Sequence, residues 1–162
     1  MPTFCSPLKT SSLLDPPTRM RLLREALEVF VTKKKCIISD HEVLKNSPSY
    51  TVDTLSWLIK KYPGNSWFFL LGSDSLKQLK KWHSYSQLIT MCEWVVALRD
   101  KDTESDINTY IKKHLLGIRY HFLELKKHNI SSTTIRNTLS KGMIDLSVLP
   151  KGVGPMIREE LL

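Results

Sequence analysis

The segment Ile130-Ser131-Ser132-Thr133-Thr134-Ile135-Arg136 puts four hydroxyls at the start of a predicted helix and a guanidinium one turn in, on the face of Ser132 and Thr133. Unpaired first-turn amides, the helix dipole, hydroxyls and a planar cation together suit phosphate oxygens. A capped helix with a surface arginine would use the same residues. Gly72-Ser73-Asp74-Ser75 follows the apolar run Trp67 to Leu71. Glycine lets a ligand approach the backbone, and Asp74 can accept hydrogen bonds from ribose hydroxyls. The competing reading is a plain strand-to-helix turn with Asp74 or Ser75 as N-cap. Ser47 to Leu55 reads as a polar turn entering a helix, with Tyr50 and Thr51 at its mouth. Lys81-Trp82-His83 offers an indole that can stack on a flat ring, although tryptophan more often packs a core.

Other chemistries lack their residues. Neither GxGxxG nor GxxxxGK[ST] occurs, and Gly152 and Gly154 follow no predicted strand. His41, His83, His114, His121 and His128 show no zinc-binding spacing and have no cysteine pair to support them. There is no GxSxG hydrolase elbow.

The elements that must position these residues alternate between helix and strand. Asp15-Pro16-Pro17 predicts a helix start, followed by Met20, Leu23, Leu27 and Phe30 at helical spacing. Cys36-Ile37-Ile38 is a candidate strand. Val52, Leu55, Leu58, Ile59 and Tyr62 mark a helix stopped by Pro63-Gly64. Trp67 to Leu71 reads as a strand buried on both faces, Trp94 to Leu98 as a second, and Tyr120 to Leu123 as a third. Helices are expected over Ser84 to Cys92, Ser105 to Leu116, Ser132 to Lys141 and Val153 to Leu161. This alternation predicts an α/β fold with a doubly wound, mostly parallel sheet. Ligands of such sheets bind beyond the carboxyl ends of the strands.

Composition narrows the class. The chain has 162 residues, 41% hydrophobic and 25% charged, the balance of one globular domain. No apolar run approaches the roughly 20 residues of a membrane span, and no signal peptide is expected from the first residues. Cys5, Cys36 and Cys92 are an odd, widely spaced set, which argues for a reducing, cytoplasmic compartment and against glycosylation at Asn129. The net charge of +8 favours polyanions, nucleic acid or small phosphorylated ligands. Its lysines come in scattered pairs and one triplet, Lys33 to Lys35, most of them at predicted helix ends, and form no aromatic-laced stripe, so nucleic acid is the less favoured partner.

Taken in order, PSYTVDTL, FFLLGSDSLKQLKKWHSYSQL, WVVALRD and ISSTTIRNTLSKG resemble bacterial nicotinate-nucleotide adenylyltransferases, of the nucleotidyltransferase superfamily. The resemblance runs from about Pro2 to the C-terminus and implies a Rossmann-like nucleotidyltransferase fold. It also implies that Ser131, Ser132, Thr133 and Arg136 bind the phosphates of ATP. Tyr50 and Thr51 would help hold nicotinate mononucleotide, and Trp82 would stack on its pyridine ring with His83 beside it. Gly72 and Asp74 would line the nucleotide pocket. The family begins with a strand and a GGTFDPxHxGH-like turn. This sequence has no glycine before Gly64 and no HxGH, and Pro7-Leu8-Lys9 lacks the histidine of the family's Pro-Pro-His-Lys segment. The expectation is therefore a single nucleotidyltransferase-like domain over residues 1–162, N-terminally truncated and missing its first βα unit. None of its residues is assigned to catalysis or to holding a metal.

The function implied is adenylyl transfer from ATP to nicotinate mononucleotide, yielding deamido-NAD and pyrophosphate, with Mg²⁺ accompanying ATP. The alternatives are an inactive nucleotide-binding remnant and, behind it, a basic nucleic-acid-binding domain. A homo-oligomer is admitted but not specified by the sequence, and no membrane partner is expected.

Overall fold

The computed structural model describes residues 1–8, 14–99, 101–124, 135 and 149–161. In chain order its elements are α1 (Pro16–Thr32), α2 (His41–Leu44), α3 (Thr51–Lys61), β1 (Phe68–Gly72), α4 (Ser73–Leu76) and a 3-10 turn (Leu79–Lys81). Then come α5 (Tyr85–Met91), β2 (Glu93–Ala97), α6 (Glu104–His114), β3 (Tyr120–Leu123) and α7 (Val153–Leu161). They fall into two compact units, Met1–Ser49 with His128–Leu162, and Tyr50–Lys127.

In the first unit α1 starts where its residues dictate. The Asp15 carboxylate accepts the Thr18 N–H at 2.6 Å, and prolines occupy the positions that have no intrahelical partner to lose. Arg19 donates to the carbonyls of Thr3 (2.7 Å) and Phe4 (2.8 Å), which ties the extended N-terminal residues to the helix. Ser49 holds the same residues through its N–H to the Cys5 carbonyl (3.1 Å) and its Oγ from the Phe4 N–H (3.2 Å). α7 packs on α1, with Arg21 and Glu160 paired between them. Gly152, at φ +89, leads into α7 where a Cβ would collide with Glu25.

The strand expected at Cys36-Ile37-Ile38 does not form. The segment carries no ladder among the described residues, and Ile37 is 89% exposed. Branched side chains favour extended backbone, but without a partner strand there are no inter-strand hydrogen bonds.

The second unit is built on a parallel sheet in the order β1-β2-β3, with Leu70 opposite Val95 and Val95 opposite His121. Period-two alternation sends Phe69, Leu71, Trp94, Val96, Tyr120 and Phe122 to one face. There they pack with Val52 and Leu55 of α3, Leu76 of α4, Leu88 of α5, and Ile107 and Ile111 of α6. Trp94, Leu76, Leu79, Leu88 and Ile107 are fully buried. The other face differs from expectation. Phe68 is 59% and Leu70 60% exposed, so β1 is buried on one face rather than both. A continuous apolar run does not distinguish these cases; what decides is whether something covers the second face.

α3 stops where Pro63-Gly64 ends the pattern, with the Tyr62 N–H closing on the Leu58 carbonyl at 2.9 Å. α6 opens with a capping box between Thr103 and Asp106. Among the described residues no helix is long and apolar enough to cross a membrane.

Candidate nucleotide-binding site

Three structural features meet at the carboxyl end of β1. The strand ends in Gly72, and the chain turns at once into α4, with Gly72 at the N-cap position and no side chain capping. Neither Asp74 nor Ser75 is the N-cap; both lie inside α4, so Asp74 is left 62% exposed by side chain. Ser73 is fully buried, and its hydroxyl accepts the Arg99 N–H at 3.0 Å. That bond ties the exit of β2 to the exit of β1. Arg99 Nε lies 3.8 Å from Asp74 Oδ1, with both side chains more than half exposed. Such a pair contributes little to stability and is free to rearrange around a ligand. A Cβ on Gly72 would run into Asp74 Oδ1 and come within 2.9 Å of Arg99 Nε, so glycine keeps this corner open.

A second brace lies behind. Lys77, just after α4, pairs with Asp102 at 2.6 Å, and the Tyr110 hydroxyl donates to the Lys77 carbonyl at 2.9 Å. Burial pushes the Tyr85 phenol above its ordinary value, with Tyr110 adding to the rise, so it stays neutral.

The aromatic part of the site lies on the next turn. Trp82 follows the 3-10 turn and is half-buried. Its ring stands nearly perpendicular to Phe69 of β1 (5.9 Å, 79°) and to Trp94 of β2 (6.2 Å, 74°). Core packing and ring binding are thus not exclusive: the core fixes the indole's direction while part of it remains open. His83 is exposed, and its imidazole rests 4.5 Å from the Tyr50 ring at the mouth of α3. Thr51 is the first residue of α3 and is half-buried.

The structure therefore joins Tyr50 to His83, and Gly72 to Asp74 and Arg99, in one unit. Ser131, Ser132, Thr133 and Arg136 lie outside the described residues. Arg99 was not singled out by residue type, although it follows a strand end as Gly72 does, which is the signal that could have found it. Among the described residues no three His, Cys, Asp or Glu side chains are placed to hold a metal ion. Those residues do not by themselves build a site for the Mg²⁺ expected with ATP.

The model of the cytidylyltransferase-like family matches residues 4–138. A probable nicotinate-nucleotide adenylyltransferase of Fusobacterium nucleatum is 35% identical over 158 residues, covering 95% of this chain and 77% of that protein. This chain belongs to that family. Another probable member, from Nitratiruptor sp., is 33% identical over 84% of this chain and 68% of its own length. The fold matches the solved structure of Plasmodium falciparum nicotinic acid mononucleotide adenylyltransferase complexed with APC, with a TM-score of 0.71. That match covers 94% of this chain and 77% of the other at 19% identity, a likeness of fold. The Rossmann-like nucleotidyltransferase architecture expected from the sequence is the one observed.

Proposed function

We propose that this chain serves adenylyl transfer from ATP to nicotinate mononucleotide, giving deamido-NAD and pyrophosphate in the biosynthesis of NAD. One observation carries the reading. An indole oriented by Phe69 and Trp94 of the sheet is followed in the chain by an imidazole packed on the Tyr50 phenol, in a chain whose relatives are named for this reaction. In this reading Trp82 stacks on the pyridine ring, with Tyr50, Thr51 and His83 around it. Gly72 and Asp74 line the nucleotide pocket, and Ser131, Ser132, Thr133 and Arg136 hold the phosphates of ATP. A phosphate oxygen of the mononucleotide attacks the α-phosphorus of ATP in line. The new P–O bond forms as the bond to pyrophosphate breaks, with no covalent enzyme intermediate. Catalysis then depends on positioning and on offsetting charge. Mg²⁺ bound to ATP would supply neutralisation of phosphate charge; the cytoplasm is the proposed location.

Among the described residues no strand pairs with the outer edge of β1, and that edge with the exposed Phe68 and Leu70 supports, within the same reading, a further βα unit that completes the sheet. One observation favours a second reading, a binder without turnover: these 162 residues hold no His-x-Gly-His. Incubation of the chain with ATP and nicotinate mononucleotide, assayed for deamido-NAD and pyrophosphate, separates the two. Slow transfer above the uncatalysed rate, lowered by Arg136→Lys through the loss of its planar fork, supports the enzyme. Mononucleotide binding with no transfer at all supports the remnant.

A further inference from the structure

No single run of the sequence laces aromatic rings with lysines, but folding assembles such a patch where α3 ends. Trp57 and Lys61 lie four residues apart on one side of the helix, Lys60 and Lys61 close its last turn, and Tyr62 follows as its C-cap. Pro63 and Gly64 (φ +81) then turn the chain, and Trp67 comes back beside the helix end. Lys61 Nζ lies 4.7 Å from the centre of the Trp57 ring and 5.5 Å from that of Tyr62. The Tyr62 ring in turn is 6.2 Å from Trp67. Tyr62 is 42% exposed, both lysines are exposed, and the two indoles are half-buried. No acidic residue occurs between Asp53 and Asp74, so the stretch carries positive charge alone.

We propose that this end of α3, with Trp57, Lys60, Lys61, Tyr62 and Trp67, is a binding surface for single-stranded nucleic acid. Each part serves the same ligand. Aromatic faces stack on bases of any kind, and ammonium groups take the phosphates between them. A base that stacks on Trp57 or Tyr62 displaces the Lys61 ammonium from the rings and leaves it beside the adjoining phosphate. A duplex keeps its base faces inside the stack, and an apolar protein face would bury two ammonium groups without acceptors. The surface is separate from the nucleotide site. It adjoins the amino end of β1, whereas Gly72 and Asp74 mark the carboxyl end, with the strand's five residues between at about 3.3 Å of rise each.

The test titrates the 162-residue chain into labelled oligo(dT), oligo(U) and a DNA duplex of the same length, following fluorescence anisotropy at several salt concentrations. Single strands should bind more tightly than the duplex, and excess ATP at matched ionic strength should not displace them. The two oligonucleotides show whether DNA, RNA or both are taken. Tyr62→Ala should weaken single-strand binding about fivefold or more, and Tyr62→Phe, which keeps the ring, should retain it. Lys60→Gln with Lys61→Gln should flatten the salt dependence by about 1.4 in log–log slope, two phosphate contacts' worth. Lys112→Gln with Lys113→Gln removes the same charge from α6 and should do much less. No binding of either single strand, preference for the duplex, displacement by ATP, an unaffected Tyr62→Ala or equal losses from the two lysine pairs would overturn the proposal. Far-ultraviolet circular dichroism checks the fold of each variant; should Tyr62→Ala unfold, the two lysine pairs decide the matter.

Discussion

Burial decides what the three thiols can do. Cys92 is 2% exposed at the entrance to β2, and burial pushes its thiol up to about 11, with Arg119 only partly opposing the rise. It is a small apolar core residue at neutral pH and not a nucleophile. Because the folded state holds this proton more tightly than the unfolded chain, the associated stability is fully present below the ordinary thiol pKa of about 8.5. It is lost progressively as pH rises from there towards 11. A thiol-reactive dye at neutral pH should therefore label exposed Cys5 quickly and Cys92 only after denaturant is added. Rapid native labelling of Cys92 would show that the core around Trp94 opens more easily than its packing implies.

Local signals were readable at several element boundaries, though the start of α4 falls at Gly72 and not at Asp74 or Ser75. Asp15 caps α1, Pro63-Gly64 stops α3, and the run around Trp94 becomes β2, as the residue pattern predicts. The two failures among the strands share one cause. Cys36-Ile37-Ile38 and the outer face of β1 have the composition of buried strand, but composition cannot say whether a partner strand or a covering layer is there. The α6 start gives a direct check on the local rules. Thr103 and Asp106 satisfy each other's orphan donors, and the hydrogen bonds from Thr103 hold the Asp106 carboxyl below its ordinary value. Thr103→Ala should cost about 1 kcal/mol of stability. In an NMR titration the Asp106 resonance should move its midpoint upward in that variant. The stability that Asp106 contributes is present above its unfolded pKa and is lost as pH falls through the lower folded one. An unmoved midpoint would mean the capping box does not persist in solution.

At the scale of the molecule, the site was legible as a set of loops after strands, but not as a geometry. Residue type marked Tyr50, Gly72, Asp74, Trp82 and His83. It did not predict that Tyr50 would contact His83, that Arg99 would stand beside Asp74, or that Trp82 would brace on Phe69 and Trp94. Those relations join residues far apart in the chain, and only the packing of α3, α5 and the sheet creates them. The central claim is that this packing makes a seat for a pyridine mononucleotide. It is tested most directly by calorimetric titration of nicotinate mononucleotide into the 162-residue chain and into its Trp82→Ala variant. The account predicts saturable one-to-one binding by the parent and affinity weaker by about 0.5–1.5 kcal/mol in a variant that stays folded, the scale of an aromatic ring pair. Equal affinity in the two proteins, or no binding by the parent, would contradict it and leave Trp82 as a core residue alone.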